Sequence, residues 1–320
     1  MIPIFPEFTR LEPEHQGEYH KLTADLRDYA DTSLATHLAW DLHDKANISQ
    51  LHGNVVLALT QVQSRKRFLS VHGTQDIDST LHRIFDYSRE RGWDDCISLV
   101  PEETIDKIQE PHYFRTTVDR DNFDYVISTA AIAATTGSAL RNMRRRVNRF
   151  QKNYPQGEVV DLDIASEKHV TEILDVFDTR HHLAPESSEL YERMALEKLM
   201  ALNSSFQLIA KGVRVKTKLE AFIIAEKNRG SMLGHFWKAN TEHDGIYHFL
   251  MRECCEQFAA QGFSEFNIEE DMGIEGLRKA KEVFNPTYLR KYTISLPSIL
   301  PQPVFEEVDE FQSERVLSAA

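Results

Sequence analysis

The sequence predicts a mixed α/β chain of two like-folded units, and three observations carry that prediction. Short apolar runs bounded by turn residues alternate with segments of helical periodicity. The same order of elements occurs twice, offset by roughly 165 to 170 residues. At 320 residues, 41% of them apolar and 10% aromatic, the chain can fill more than one core.

In the first half, Asn54 to Gln61 and Arg67 to Gly73 read as two strands. Val55, Val56, Leu57 and Leu59, then Phe68, Leu69 and Val71, flank the polar turn Gln63-Ser64-Arg65-Lys66. A helix follows, with Ile77, Leu81, Ile84 and Phe85 at helical spacing, Asp76 placed to cap its start and Gly92 its end. Cys96 to Val100 reads as a third strand ending at Pro101-Glu102-Glu103. Phe123 to Ser128 reads as a further strand, and the segment around Leu140, Val147 and Phe150 as a helix ending before Pro155.

The second half opens with an alternating strand at Val159, Val160, Leu162 and Ile164. Helices are expected over Ser166 to His181 and Ser188 to Asn203, with Leu183-Ala184-Pro185 between them and both serines as N-caps. Ala221 to Ala225 and Met232 to Ala239 form a hairpin around Lys227-Asn228-Arg229-Gly230. A helix from Gly245 to Ala260 and the strand Glu265 to Ile268 complete the unit, which ends at Glu269-Glu270-Asp271. The expected division is an N-terminal unit over 1–155 ending in the basic helix, a C-terminal unit over 156–300, and an acidic, loosely held tail over 301–320.

The net charge of -13 argues against indiscriminate nucleic-acid binding. One segment departs from it. Ser138 to Pro155 carries Arg141, Arg144, Arg145, Arg146, Arg149 and Lys152 with no acid among them, either a solvated helix or an anion-binding face for phosphates. The three cysteines, Cys96, Cys254 and Cys255, include an adjacent pair that does not bridge easily and form no CxxC, which fits a reduced, cytoplasmic protein. The N-terminus lacks the pattern of a secretory signal, and no apolar run approaches the roughly 20 residues of a membrane span.

The block most dense in chemistry follows the last predicted strand of the second unit. Asn267, Glu269, Asp271, Gly273, Gly276-Leu277-Arg278, Ala280-Lys281 and Pro286 stand at the spacing NxExDxGxxGLRxAK…P. Together with Phe236-Trp237-Lys238-Ala239, Gly245-Ile246-Tyr247, and the run from Gly137 to Phe150 with Arg144, Asn148 and Arg149 in register, this block resembles the phosphatidylglycerol lysyltransferase C-terminal-domain-like family over about Phe123 to Tyr292. Trp237, Arg145 and Ile268 depart from that family's usual Glu, Asn and Arg. The resemblance implies a tandem GNAT-like acyltransferase fold, with transfer of an aminoacyl group from aminoacyl-tRNA to a lipid or small-molecule acceptor. It also implies the tRNA acceptor end as a partner and, for a lipid acceptor, transient contact with a membrane surface.

Acyl transfer needs a base for the nucleophile and a donor for the developing oxyanion. Glu269 and Asp271, two apart at a strand end, are expected to share one face, where mutual repulsion raises one pKa; the alternative is that they cap the next helix. Asn267 positions a substrate or satisfies buried backbone, and Lys238 supports an oxyanion or pairs at the surface. Arg278 and Lys281, three apart on a helix, offer an anion site or surface ion pairs. Tyr247 is a proton donor or a packed aromatic. Arg144, Arg145, Asn148 and Arg149 are the candidate donor-binding residues. His181-His182 and His235 lack partners at metal-ligand spacing, so no catalytic metal is expected. GxSxG, Walker A and GxGxxG motifs are absent, which demotes hydrolase, P-loop and dinucleotide readings. No tightly bound cofactor is expected. Coenzyme A stays open as an alternative donor, although the Arg/Gln-x-x-Gly-x-Gly/Ala phosphate loop is missing, and so does a catalytically silent binding protein of the same fold.

Overall fold

A computed structural model describes residues 1–93, 95–180 and 187–297, with the side chains of 187–189 left aside. The expected Leu183-Ala184-Pro185 break, the histidine pair 181–182 and the acidic tail lie outside the described residues, as does the side chain expected to cap at Ser188. Along the chain the strands are β1 (Thr9–Arg10), β2 (Asn47–Leu51), β3 (Asn54–Thr60), β4 (Arg67–His72), β5 (Cys96–Pro101), β6 (Arg115–Val118), β7 (Asp124–Ser128), β8 (Gly157–Leu162), β9 (Leu208–Val215), β10 (Lys218–Asn228), β11 (Ser231–Ala239), β12 (Glu265–Asn267), β13 (Thr287–Leu289) and β14 (Lys291–Ser295). The helices are α1 (Gln16–Leu22), α2 (Leu34–Trp40), α3 (Ile77–Arg91), α4 (Glu102–Ile105), α5 (Thr129–Ala134), α6 (Arg141–Asn153), α7 (Glu167–Arg180), α8 (Ser187–Ala201), α9 (Ile246–Ala260) and α10 (Glu275–Glu282).

Two mixed sheets form, in the orders β1-β2-β3-β4-β5-β14-β6 and β13-β7-β12-β11-β10-β9-β8. Each contains one parallel pair, reached through a crossover helix: β4 with β5 after α3 (Leu69 opposite Ile97), and β11 with β12 after α9 (Leu233 opposite Asn267). The duplicated order read from the sequence is thus repeated in space. The sheets also exchange strands. β7 enters the second sheet between β13 and β12, and β14 returns to lie between β5 and β6 of the first. Sheet membership therefore changes between Val118 and Asp124, and again at Arg290.

Strand alternation sorts the core into layers. Val56, Ala58, Leu69 and Val71 pack beneath Ile77, Leu81 and Ile84 of α3 on the outer face of the first sheet. Val55, Leu57 and Leu59 point the other way, into a central layer shared with Leu34 and Leu38 of α2, Ile173 and Phe177 of α7, Leu196 and Leu199 of α8, and Phe222, Ile224 and Phe236 of the second sheet. Ala221, Ile223 and Met232 face outward beneath Phe150 of α6 and Phe249 and Leu250 of α9. At the α6–α9 contact, Gly245 has φ +91°, and a Cβ there would come within 2.2 Å of the Arg146 carbonyl oxygen. Only glycine permits that approach.

Gly92 ends α3 in the left-handed conformation, as expected for its place. Asp76 stands at the N-cap position, but its own φ is positive. Its carboxylate accepts from Ser79 Oγ instead of a backbone N–H, which corrects the capping expectation.

Candidate active site

The loop after β12 decides where the acidic side chains go. Positive φ at Glu269 (59°), Met272 (51°) and Gly273 (73°) breaks strand alternation, so Glu269, Glu270 and Asp271 depart in three directions. The expectation that Glu269 and Asp271 share a face is thereby corrected: the face-sharing rule holds only while the backbone stays extended. The loop is fixed from beneath. Lys281 Nζ, buried, donates to the carbonyl oxygens of Ile268 and Glu270, each at 2.6 Å. Asn267 donates to the Asp28 carbonyl at 3.0 Å and to Asp124 Oδ2 at 2.9 Å, while its Oδ1 accepts from Glu269 N at 2.8 Å.

Asp271 is fully buried and saturated. Its carboxylate accepts from Arg278 Nε and Nη2 (2.9 and 2.8 Å), Arg120 Nη1 (3.1 Å), Tyr125 Oη (2.5 Å) and Gly273 N (2.9 Å). Burial alone would raise its pKa, but hydrogen bonds from Arg278, Tyr125 and Gly273 outweigh burial and hold it at about 2. Arg278 is committed to Asp271 and to Asp121 at 2.8 Å. With every lone pair engaged, this carboxylate is an anchor rather than a proton acceptor at neutral pH.

Glu269 Oε1 lies 3.1 Å from His235 Nδ1, and Glu226 Oε2 lies 3.1 Å from His235 Nε2. Ser33 Oγ donates to the same Glu226 oxygen at 2.5 Å. Burial opposes charge on His235, yet the hydrogen bonds with Glu226 and Glu269 prevail and lift its pKa to about 9. An imidazolium between two carboxylates thus clasps β11 to the loop where β11 and β12 part.

Glu269 and Glu270 are both partly exposed, but the carboxylate of Glu269 is held by His235, which leaves the cavity wall to Glu270. It lines a cavity of about 480 Å³ in the central layer, together with Asp31, His37, Trp40, Leu59, Phe68, Leu99, Asp119 and Met272 among others. Behind it lies a buried charge cluster in which Lys291 Nζ contacts Asp31 Oδ2 and stands 2.7 Å from Asp124 Oδ1. Burial raises the Glu270 pKa, Lys291 pulls it down, and Glu269, Asp124 and Asp31 push it up again, leaving it at about 7. Asp119 is also raised, by burial against the opposing hydrogen bond from Asn122.

The other sequence-predicted residues lie elsewhere. Lys238 pairs with Glu192 at 2.5 Å. Tyr247 Oη accepts from Ala239 N at 3.0 Å and packs edge-on against Trp237. On α6, Arg144 donates to the carbonyls of Thr135 (2.7 Å) and Gly137 (3.2 Å), and Arg149 pairs with Asp244 at 2.5 Å. Arg145 and Asn148 are exposed and, with Arg141 and Lys152, form a stripe along one helical face with no ion-pair partner among the described residues. Met143, Val147 and Phe150 seat α6 on the outer face of the second sheet, so these arginines do not share the cavity with the acids. Sequence reasoning passed over Glu270, Asp119, His37, His235 and Lys291. For Glu270 the only signal was its place between two other acids, and for the rest no local signal existed.

No helix among the described residues is long and apolar enough to cross a membrane. Comparison with solved structures returns close folds. A conserved protein of unknown function from Bacteroides thetaiotaomicron aligns with TM-score 0.81 and 22% identity, covering 93% of this chain and all of the other. L-PGS from Bacillus licheniformis aligns with TM-score 0.61 and 14% identity over 95% and 96% of the two chains. A tandem GNAT protein from the clavulanic acid biosynthesis pathway aligns with TM-score 0.50 and 9% identity over 90% and 97%. At these identities the likeness is one of fold, and that fold is the tandem GNAT-like one. No curated protein matches the sequence significantly. Residues 23–295 match the family described as phosphatidylglycerol lysyltransferase, C-terminal, and the chain belongs to that family.

Proposed function

We propose that the chain is an acyltransferase that takes an aminoacyl group from aminoacyl-tRNA and passes it to an acceptor, a lipid or a small molecule, held in the cavity that Glu270 lines. The observation that carries this reading is Glu270: a carboxylate at the cavity wall whose pKa near 7 suits a general base at neutral pH. Glu270 takes the proton of the acceptor nucleophile as it attacks the ester carbonyl, and the ribose oxygen leaves with a proton. Glu269, Asp271, Asn267 and Lys281 hold the loop that presents Glu270, while Lys291 limits how far its pKa rises. The α6 stripe of Arg141, Arg145 and Lys152 supports a macromolecular donor. It lies across the second sheet from the cavity, so a ligand contacting both must be large enough to pass around the sheet edge. Such a donor places the protein in the cytoplasm.

The test is thermal-shift and binding measurement with charged tRNA, uncharged tRNA and acetyl-coenzyme A. Charged tRNA is expected to bind and stabilise the protein. Stabilisation by acetyl-coenzyme A alone would overturn the proposed donor, and silence toward every donor would leave a binding protein of the same fold.

A further inference from the structure

The cavity is unevenly charged for a chain related to lipid-modifying enzymes. Four carboxylates line it, Asp31, Asp41, Asp119 and Glu270, against one exposed lysine, Lys66. Two of the four are already engaged. Asp31 is paired with Lys291, and Asp41 accepts from the backbone N–H groups of Lys45 and Ala46, each at 2.9 Å. Asp119 accepts one hydrogen bond, from Asn122 at 2.9 Å, and the Glu270 carboxylate has no hydrogen-bond partner among the described residues. Both retain free lone pairs.

A second observation points the same way. His37 is buried and lines the cavity; its Nε2 lies 2.9 Å from the Asp31 carbonyl oxygen, which makes Nε2 the donor. Burial keeps the ring neutral against the pull of Asp31, so Nδ1, which has no partner among the described residues, is a lone-pair acceptor. Two more cavity-lining oxygens, Thr36 Oγ1 and Thr60 Oγ1, are buried without a partner. Trp40, Leu59, Phe68 and Leu99 supply apolar wall between these groups. Acceptor atoms around an apolar sleeve match an alkylammonium ion. A phosphate would meet four carboxylates there against the single lining cation, Lys66, so the balance of charge disfavours it.

We infer that this cavity is an ammonium-binding acceptor subsite, and that the acceptor is a small primary amine rather than an anionic phospholipid. The inference rests on the acyl-transfer reading and narrows its acceptor. The product is then an amide. The ammonium loses one proton to Glu270, which passes it to solvent; nitrogen attacks the ester carbon; the C–N bond forms as the C–O bond to the ribose breaks. The second amine proton ends on the ribose oxygen.

Isothermal titration of the full chain without any tRNA tests the subsite, with cadaverine, its diol analogue and glycerol phosphate as probes. Cadaverine is expected to bind at one site, with affinity falling about tenfold or more in both Asp119→Asn and Glu270→Gln, and the other two probes are expected not to bind. Urea midpoints of the two variants confirm that they are folded. The inference is overturned if glycerol phosphate binds in place of cadaverine, if no probe binds, or if both variants bind cadaverine as the parent does. Cadaverine binding without transfer from any aminoacyl-tRNA supports the subsite while removing the donor assignment, so the two claims fail separately.

Discussion

Replacing Glu270 with glutamine should stabilise the protein at alkaline pH while removing transfer. In the fold, this carboxyl is lifted from 4.5 to about 7 by burial and by Glu269, Asp124 and Asp31, with Lys291 opposing. An acid whose native pKa exceeds its unfolded value holds its proton more tightly when folded. The native state therefore keeps its full advantage below about pH 4.5 and loses it as pH rises to about 7. The shift corresponds to about 3 kcal/mol. Above pH 7 the parent carries that cost of an ionised, half-enclosed carboxylate, whereas glutamine carries none. Urea denaturation at pH 8 should show Glu270→Gln more stable by up to about 3 kcal/mol, and thermal melts higher by on the order of 5 °C, with the gap closing toward pH 5. A gap of zero at pH 8, or one that does not change with pH, would refute the assignment of Glu270 as the strained acid.

Other outcomes follow from the same geometry. Asp271→Asn strips an ionised acceptor from Arg278, Arg120 and Tyr125 and should cost about 2 to 4 kcal/mol at neutral pH by urea denaturation, diminishing as pH falls toward 2. Stability equal to the parent would mean the network is not formed. The double change Arg141→Ala and Arg145→Ala should weaken tRNA binding and flatten its salt dependence by about two counterions, with melting unchanged. Arg149→Ala should do less, because Asp244 already neutralises it; equal effects would show that the stripe is not the contact. Gly245→Ala forces a side chain against the Arg146 carbonyl at positive φ and should destabilise by about 2 kcal/mol or more, read by urea midpoint.

What the sequence disclosed follows the range of the forces involved. Hairpin, helix and strand signals are local, so β3–β4–α3–β5 and β10–β11–α9–β12 were legible, as were α6, α7 and α9 from their periodicity. Strands whose pairing is settled far along the chain were not. β14, Lys-Tyr-Thr-Ile-Ser, is distinguished by where β5 and β6 leave a gap for it, and β9 carries Lys211, Gly212 and Arg214 among its apolar residues. The C-terminal block was recognised as functional by its density of special residues. Its internal roles were not, because positive φ at the non-glycine residues Glu269 and Met272 redirects the side chains that strand geometry would have placed together. For α6 the apolar spacing of Leu140, Val147 and Phe150 disclosed a helix with a basic face. What that spacing withheld was which side of the molecule lay outside.

In the proposed reaction Glu270, at the cavity wall, accepts the proton when an aminoacyl group is transferred. Single-turnover transfer of a radiolabelled aminoacyl group from aminoacyl-tRNA, followed from pH 5.5 to 9, measures this directly. The rate should climb with pH through a midpoint near 7 in the parent and level above about pH 8, where the carboxylate is almost fully formed, and should be low and flat in Glu270→Gln. Transfer by the glutamine variant at the parental rate, with the parental pH profile, would contradict the account.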